Sequence, residues 1–265
     1  MKTENPKESI YRVQALERAM DILDCFSFQN REITLSDIVK KTGLNKTTVI
    51  RLISNLITRG YIQQDHISKK YQLGLRLFEL GGIVSSSFSL RKSTAHPMNR
   101  LQEQTGATVL LGVMMEDQLV YMDRREGDGL IRVSSDIGWR RPLHFGMLGT
   151  ILMAYLEADK IDDILTRYPL EAYTPLSITD PEKFILRLKQ IHKQGYFMET
   201  DEAVEGTLGI AAPIRDHKGN IIAALGIVFT LGQQKKDMDT GRYVDLVKKT
   251  TEGISVDLGY NKKKV

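Results

Sequence analysis

The first third of the chain contains three stretches in which apolar residues recur at helical spacing. The first stretch predicts an amphipathic helix that ends near residue 27, with apolar positions at Leu16, Ala19, Met20, Leu23 and Phe26. The second predicts a short helix with apolar positions at Leu35, Ile38 and Val39. The third predicts a helix whose inward positions are Val49, Leu52, Ile53 and Leu56.

Capping residues indicate where the second and third helices begin and end. Thr34 and Asp37 have the spacing of a capping box at the start of the second helix, and Gly43 supplies the left-handed residue that ends it. Asn45 can cap the third helix, and Gly60 closes it. Two short helices joined by a glycine-containing turn make a helix-turn-helix.

The residues that follow the third helix predict a β-hairpin. Its strands are expected at 61–64 and 71–73, and the polar tip between them carries Lys69 and Lys70. A hairpin in this place is a wing beside a recognition helix. Its lysines would contact backbone phosphate, which contributes affinity and salt dependence but little base selectivity.

The third helix carries polar residues on the side away from its apolar positions: Lys46, Thr47, Thr48, Arg51 and Asn55. None of them is acidic, which suits a DNA groove. Arg51 can fork onto guanine, Asn55 can pair with adenine, and Lys46 can hold a phosphate together with the helix N-terminus. The alternative, an ordinary solvated helix face, predicts the same residue types.

The remainder of the chain, from about residue 96, alternates strand and helix patterns. Strands are expected at 108–116, 119–125, 130–135, 196–200, 209–215 and 221–231. Helices are expected at 147–156, 181–194 and 239–258. Two groups of strands around central helices predict an α+β sheet domain.

Composition and charge narrow the function classes. The 265 residues are 42% apolar and 26% charged, which predicts two folded domains. A single cysteine excludes a disulfide framework and any cysteine-built zinc or iron–sulfur site. No stretch has the length of a signal peptide core or a membrane helix, so a cytoplasmic protein without membrane contact is expected.

The positive charge is concentrated in the first third. Residues 1–95 hold 15 Lys+Arg against 9 Asp+Glu, a net charge of +6, whereas the rest holds 22 against 24, a net charge of −2. A basic module joined to a near-neutral one favours a polyanion-binding head. On charge alone, a basic solvated surface is an equal alternative.

Four regions of the sequence, in order and spacing, resemble the IclR family of bacterial transcription regulators. Two lie early, at 13–23 and at 34–52 with 60–61 and 71–74, and two lie late, at 141–149 and at 201–206 with 210–214. The resemblance spans nearly the whole chain. It implies a winged helix-turn-helix head and a C-terminal α+β domain of the GAF-like, effector-binding kind.

The expected domain organisation follows from these segments. Residues 1–75 form the DNA-binding domain, 76–95 a helical linker, 96–260 the effector-binding domain and 261–265 a basic tail. The linker is expected to be interrupted at Gly81-Gly82 and at the serine-rich stretch that follows, and Pro97 to lie in the first turn of the next helix. By resemblance the head helps to form a homodimer, and a two-fold dimer can read two half-sites. A tetramer stays open.

The loop at 140–146 leads into the helix expected from Met147, whose N-terminal amides favour a carboxylate. By matching positions, the resemblance implies that effector contacts come from Met147, Leu148, Gly149, Glu199, Gly209 and Gly226. Some family members have polar residues at the last two positions, so a wider and less polar pocket is expected here. The alternatives are core packing for Met147 and Leu148, and a surface carboxylate for Glu199.

These observations predict an effector-responsive transcription regulator, a repressor that binds double-stranded operator DNA and a small, anionic metabolite. An enzyme is disfavoured because the sequence contains no nucleophile elbow, no His-Glu-x-x-His and no phosphate-binding or dinucleotide glycine motif. The five histidines show no metal-ligand spacing, so no cofactor or metal is expected. A ligand-sensing interaction module without DNA readout is the alternative.

Overall fold

The computed structural model describes residues 13–87, 89–128, 136–231 and 238–261. The chain divides into two compact units, the head at 1–87 and the body at 88–265. The division falls inside the expected linker.

The head contains the predicted helix-turn-helix and wing. Its described residues form, in chain order, α1 (Gln14–Leu23), α2 (Leu35–Thr42), α3 (Lys46–Thr58), β1 (Ile62–Gln64), β2 (Tyr71–Leu73) and α4 (Leu75–Ser87). Thr34 and Asp37 make the capping box of α2, and Gly43 ends this helix with φ of +68°. The antiparallel strands of the wing pair Ile62 with Leu73.

A small apolar core holds the head together. It consists of one cluster of buried side chains from all three N-terminal helices and the wing: Ile22, Cys25, Ile33, Ile38, Val49, Ile53, Leu56 and Ile62. On α1 the buried side chains are Ile22 and, just after the helix, Cys25, whereas Leu16 and Met20 of the predicted apolar stripe are exposed. Leu23 and Phe26 pack against this core as predicted, whereas the described residues of the head leave Leu16 and Met20 uncovered.

Two expectations about the linker region are wrong. Helix α4 continues from Leu75 through Gly81-Gly82 to Ser87 without the expected interruption. In the body, α5 (Ser89–Thr105) contains Pro97 in its interior and not in its first turn. Glycine lowers helix propensity and proline removes one hydrogen bond, so each makes a helix less stable without forbidding it.

The body is built on one antiparallel sheet of six strands. Its strands are β3 (Thr108–Met115), β4 (Gln118–Arg125), β5 (Arg140–Pro142), β6 (Phe197–Thr200), β7 (Thr207–Arg215) and β8 (Ile221–Thr230). They lie in the order β5-β4-β3-β8-β7-β6. Strands β3 and β8 therefore occupy the middle, and the short β5 and β6 are the two edges.

Helices cover both faces of this sheet. One apolar cluster joins the sheet to α5 and α9 (Thr240–Asp257), and its centre includes Leu111, Ile210, Leu225 and Val247. The other cluster joins the opposite face to α6 (Gly146–Met153), α7 (Ala158–Arg167) and α8 (Pro181–Gln194). The mixed α+β fold expected for the body is thus a three-layer arrangement in which side chains alternate between two cores.

The body differs from the sequence expectations in three places. Residues 140–142, expected as loop, form the edge strand β5, which pairs with β4. Helix α7 has no counterpart among the expected elements. The strand expected at 130–135 lies outside the described residues, as do residues 262–265 of the expected basic tail. In the parts of the chain described above, no helix has the length and apolar character needed to span a membrane.

Candidate functional site

The first candidate site is the exposed face of α3. Asn45 caps the helix by accepting a hydrogen bond from the backbone N–H of Thr48 at 2.8 Å. Behind it, Val49, Ile53 and Leu56 are buried in the head core. This inward packing turns the opposite face of the helix to solvent.

The structure brings most of the predicted reading residues together on that face. Lys46, Thr47, Arg51 and Asn55 are exposed, and Thr48 is half-buried at the margin. The Asn55 amide donates a hydrogen bond to the backbone carbonyl of Arg51 at 2.8 Å, so it is bonded to its own helix.

Sequence reasoning missed four further exposed residues of α3: Ile50, Ser54, Ile57 and Thr58. The helical period was sufficient to find them, since Ser54 and Thr58 follow Arg51 by three and seven positions. Thr58 donates its hydroxyl hydrogen to the carbonyl of Ser54 at 2.9 Å.

The tip of the wing is organised by one aspartate. Asp65 accepts hydrogen bonds from the backbone N–H groups of Ile67 at 3.1 Å and Ser68 at 2.6 Å. Hydrogen bonds from Ser68, first among the causes, hold the pKa of Asp65 below its usual value. Lys69 adopts a left-handed backbone with φ of 59°, and both Lys69 and Lys70 are exposed.

The second candidate site lies in the body, where two cavities meet at Gly146, Glu199 and Ala203. The apolar cavity has a volume of about 400 Å³ including its mouth, and Leu110, Tyr121, Phe145, Met147, Leu148, Val204, Gly209 and Val228 are among its lining residues. The polar cavity measures about 360 Å³ on the same basis and is lined by His144, Glu171, Tyr173, Ser177, Arg187 and Glu202, among others. The room left for the centre of a water-sized sphere is only about 40 Å³ in the apolar cavity and about 30 Å³ in the polar one, so a small metabolite enters only when lining side chains move.

Glu199 stands where the two cavities meet. It lies on the edge strand β6, opposite Gly209 on β7. Its carboxylate accepts hydrogen bonds from the backbone N–H groups of Met147, at the start of α6, and of Ala203. The protein's own carboxylate therefore occupies the helix end at which an external anion was expected.

Burial dominates the electrostatics of this carboxylate. Removal from water, and then the negative charge of Glu202, raise the pKa of Glu199 to about 7, although the two backbone hydrogen bonds and Arg187 act in the opposite direction. Arg187 is itself ion-paired with Glu202. The alternative of a simple surface carboxylate for Glu199 does not describe this environment.

The expectation of a wider pocket at Gly209 and Gly226 is wrong. A Cβ atom on Gly209 would lie 2.9 Å from the sulfur of Met147, and one on Gly226 would lie 2.9 Å from the Met147 methyl carbon. The methionine side chain thus takes up the room that the two glycines leave. The lining is apolar, as expected, but it is filled.

Four of the six predicted effector residues line the apolar cavity: Met147, Leu148, Glu199 and Gly209. The other two, Gly149 and Gly226, are absent from the linings of both cavities in the described structure. Gly149 lets α6 approach the backbone of Leu143, because an added Cβ would lie 2.3 Å from that carbonyl oxygen. Gly226 has the same kind of approach to the Ile210 carbonyl, at 2.5 Å.

Two polar side chains in the segment that leads into α6, Arg141 on β5 and His144 after it, each have a buried nitrogen atom without a hydrogen bond in the described part of the chain. Among the described residues, neither Nε of Arg141 nor Nδ1 of His144 has a hydrogen-bond partner. The Arg141 guanidinium lies 4.1 Å from the ring centroid of Trp139 and 4.7 Å from that of Phe145. Arg141 is therefore held between aromatic rings and not simply solvated, whereas Arg140 forms an ion pair with Glu116 at 2.6 Å.

His144 lines the polar cavity. Burial lowers the pKa of His144, and its Nε2 lies 3.5 Å from the hydroxyl of Tyr173. Sequence reasoning missed Tyr173, Arg187 and Glu202, which approach this cavity from three separate segments. The described residues contain no group of three or more His, Cys, Asp or Glu side chains that could hold a metal ion.

Known proteins resemble this chain in both units. The IclR helix-turn-helix domain matches residues 15–66, and the domain described as "Bacterial transcriptional regulator IclR C-terminal" matches residues 83–256. The HTH-type transcriptional regulators XynR and KdgR of Escherichia coli K12 are each 32% identical to the chain, over 248 and 234 residues. These alignments cover 94% and 88% of this chain, and 98% and 88% of the two regulators.

Solved structures agree with this relationship. An IclR homolog from Microbacterium hydrocarbonoxydans, complexed with 4-hydroxybenzoate, superposes with a TM-score of 0.81 at 26% identity, covering 92% of this chain and 99% of that one. An IclR transcriptional regulator from Alicyclobacillus acidocaldarius superposes with a TM-score of 0.82 at 25% identity, covering 94% and 100%. The predicted fold class is confirmed, and the chain belongs to the IclR family of bacterial transcriptional regulators, with a helix-turn-helix domain and an effector-binding domain.

Proposed function

We propose that this regulator is a cytoplasmic repressor that binds operator DNA as a homodimer and releases it in response to a small organic acid. The observation that carries the DNA-binding part is the exposed face of α3. It presents Lys46, Thr47, Arg51 and Asn55 without any acidic residue, directly opposite a fully buried apolar side.

The proposed contacts follow from the chemistry of each side chain. Arg51 donates two hydrogen bonds to one guanine, and the methyl groups of Thr47 and Thr48 meet thymine methyls. Lys46 and the first amides of α3 hold a phosphate. Asn55 reads adenine only after exchanging its bond to the Arg51 carbonyl. Exposed lysines of the wing, Lys69 and Lys70, contact phosphates.

The proposed dimer is supported by uncovered apolar side chains in the head. Leu75 and Phe78, one turn apart on α4, are 74% and 80% exposed. Leu16 and Met20 on α1 are also exposed. Exposed apolar side chains of this kind support an interaction surface, and a second copy of the chain would bring two recognition helices to two half-sites. Pairing of dimers into a tetramer is a further possibility that sedimentation measurements would resolve.

We place the effector at the cavities around α6. Met147, Leu148, Glu199 and Gly209 line one of them and are proposed to contact it. Gly149 and Gly226 would act indirectly, by the close approach of backbones they permit. The relative bound to 4-hydroxybenzoate, an aromatic acid, supports a small organic acid. A differential affinity of about 1–3 kcal/mol for two arrangements of the heads would change operator affinity roughly 5- to 150-fold.

The test is operator binding by an Arg51→Ala variant. Fragments upstream of the chain's own and neighbouring genes provide the specific site, and a scrambled duplex of equal length provides the reference. Loss of a bidentate guanine contact costs about 1–3 kcal/mol, so specific affinity should fall roughly 5- to 150-fold. Arg100→Ala, which removes the same charge from an exposed position in the body, is the matched control.

Two outcomes would contradict this proposal. Equal specific affinity for wild type and Arg51→Ala would remove α3 as the reading element. No sequence preference for any fragment, at low salt and with candidate acids present or absent, would favour a ligand-sensing interaction module without DNA readout.

A further inference from the structure

The start of α6 holds the carboxylate of Glu199. Two backbone N–H groups, of Met147 and Ala203, donate to the Glu199 side chain. One Glu199 oxygen lies 3.4 Å from the position of an added Cβ on Gly146 and 3.4 Å from that on Gly209. The carboxylate is therefore enclosed on both sides by backbone that carries no side chain.

This enclosure has the features of a carboxylate-binding subsite. Convergent backbone N–H groups at a helix start are the usual donors to a bound carboxylate. Beside them stands His144, 9% exposed, which lines the same polar cavity as Glu199 and whose Nδ1 has no partner among the described residues. A buried polar atom without a partner costs free energy until something supplies one.

We propose that Glu199 is an internal ligand, which closes the effector site by occupying its carboxylate subsite and which an effector carboxylate must displace. This inference rests on the proposed function and deepens it. The two cavities would be one site divided by the Glu199 side chain, because Gly146, Glu199 and Ala203 belong to both linings. The effector class that follows is a monocarboxylic acid with an apolar body and a second polar group for His144.

The charged groups around Glu199 determine how an effector carboxylate can replace the Glu199 carboxylate. From the elements packed around it, the titratable groups are Glu202 after β6, Arg187 on α8, His144 before α6, and Tyr121, Arg141, Glu171 and Tyr173. Arg187 is paired with Glu202. A second carboxylate therefore enters most readily when Glu199 takes up a proton or turns away, since two adjacent unpaired carboxylates repel each other.

The test is chemical rescue of a Glu199→Ala variant by acetate. This substitution removes one methylene and one carboxylate, and acetate replaces both in size and charge. In the full-length variant, acetate at about 100 times its Kd should raise Tm by roughly 5 °C in a saturable manner, relative to chloride at equal ionic strength. Wild type should show no saturable rise, because its subsite is occupied.

Asp180→Ala is the matched control. Like Glu199, Asp180 accepts hydrogen bonds from two backbone N–H groups, here those of Glu182 and Lys183. Unlike Glu199, it lies at the solvent-accessible start of α8. Acetate should not rescue that variant, because water already solvates the amides it exposes. An equal response of Asp180→Ala and Glu199→Ala, or no saturable response of Glu199→Ala, would overturn the proposal.

A second measurement covers the case in which Glu199→Ala does not fold. In wild type, the NMR chemical shifts of the Met147 and Ala203 amide protons should both change with pH, and the two titration curves should share one midpoint. The Glu199→Gln substitution should abolish both changes. Independent or absent movement would contradict the internal ligand. Neither experiment involves DNA. If both experiments fail while operator regulation is intact, only the internal-ligand inference is rejected. If they succeed while operator binding is absent, only the proposed function is rejected.

Discussion

The head and the body handle their polar groups in opposite ways. On α3, the proposed DNA-contacting residues such as Arg51 and Thr47 are exposed to water on a helix that is fully formed without DNA. In the body, the N–H groups of Met147 at the start of α6 and of Ala203 after β6 are already bonded to Glu199. The face of α3 is thus open to a partner, whereas the site at α6 is closed by the protein's own Glu199 side chain.

Solvation explains the difference. Exposed Lys and Arg side chains pay little free energy for being unbound, because water hydrates them until phosphates and bases replace that water. An N–H group inside a cavity has no such substitute, and leaving it unpaired costs about 1–3 kcal/mol. A buried ligand site is therefore expected to supply its own temporary partner, whereas a DNA-reading surface does not need one.

The largest expected effect tests whether the two units are as separate as this comparison assumes. Ile53 is 2% exposed at the centre of the head core, and its replacement by alanine should cost about 2–5 kcal/mol through lost burial and a cavity. In calorimetry the head transition should move to lower temperature and the body transition should stay. Ile50→Ala, at a position 46% exposed on the same helix, is the control and should change stability by less than about 0.5 kcal/mol.

A single transition that shifts as a whole in Ile53→Ala would mean that head and body unfold together. The comparison between them would then describe two surfaces of one cooperative unit.

The next effect concerns the closed site and its dependence on pH. The pKa of Glu199 in the folded chain is about 7, above its ordinary value of 4.5, so the protonated carboxyl contributes stability that is present below about 4.5. That contribution is lost as pH rises to about 7, with a slope of at most about 1.4 kcal/mol per pH unit. Glu199→Gln should remove this slope in urea unfolding measured from pH 4.5 to pH 8.

Glu205→Gln, an exposed change of the same kind on the segment after β6, should keep the wild-type slope. An identical pH dependence for wild type and Glu199→Gln would show that the Glu199 carboxyl is hydrated, and the contrast with the open surface of α3 would be lost.

The smallest expected effect sharpens the description of the open site. Lys69→Ala removes one exposed charge from the wing, so it should weaken specific and non-specific DNA binding by the same factor and reduce the slope of log Kd against log salt by about 0.9. Fluorescence anisotropy between about 50 and 200 mM salt measures this. Lys218→Ala, in an exposed turn of the body, should leave the slope unchanged. A loss confined to the specific site would instead make Lys69 a base-reading residue.

Local signals made most of the head predictable. The capping box at Thr34, the left-handed Gly43 and the N-cap Asn45 act within a few residues, and all three lie where the sequence places them. The period of α3 also separates Arg51 from Val49 without knowledge of any neighbour. The face that α1 turns inward was harder to predict, because Leu16 and Met20 are as apolar as the Ile22 that is buried.

The body site depended on contacts that no local pattern encodes. Glu199 and Met147 are joined only because β6 pairs with β7 and α6 packs over the same face of the sheet. The short strand β5 lies at an edge and has three residues, too few for a periodic signal. Gly209 lines the apolar cavity and Gly226 does not, and the room left at both glycines depends on where the Met147 side chain turns.

Met147 has a consequence for how this body can diversify. Its backbone N–H serves Glu199, while its thioether lies flat over two glycines on neighbouring strands. Methionine is unbranched and adapts readily to the space offered. A small exchange at position 209 would therefore displace one flexible side chain and reshape the cavity without disturbing α6, whereas at position 226 the Ile210 carbonyl also blocks an added Cβ. Position 209 is thus the place at which descendants of this chain can acquire new chemical preferences in a few steps.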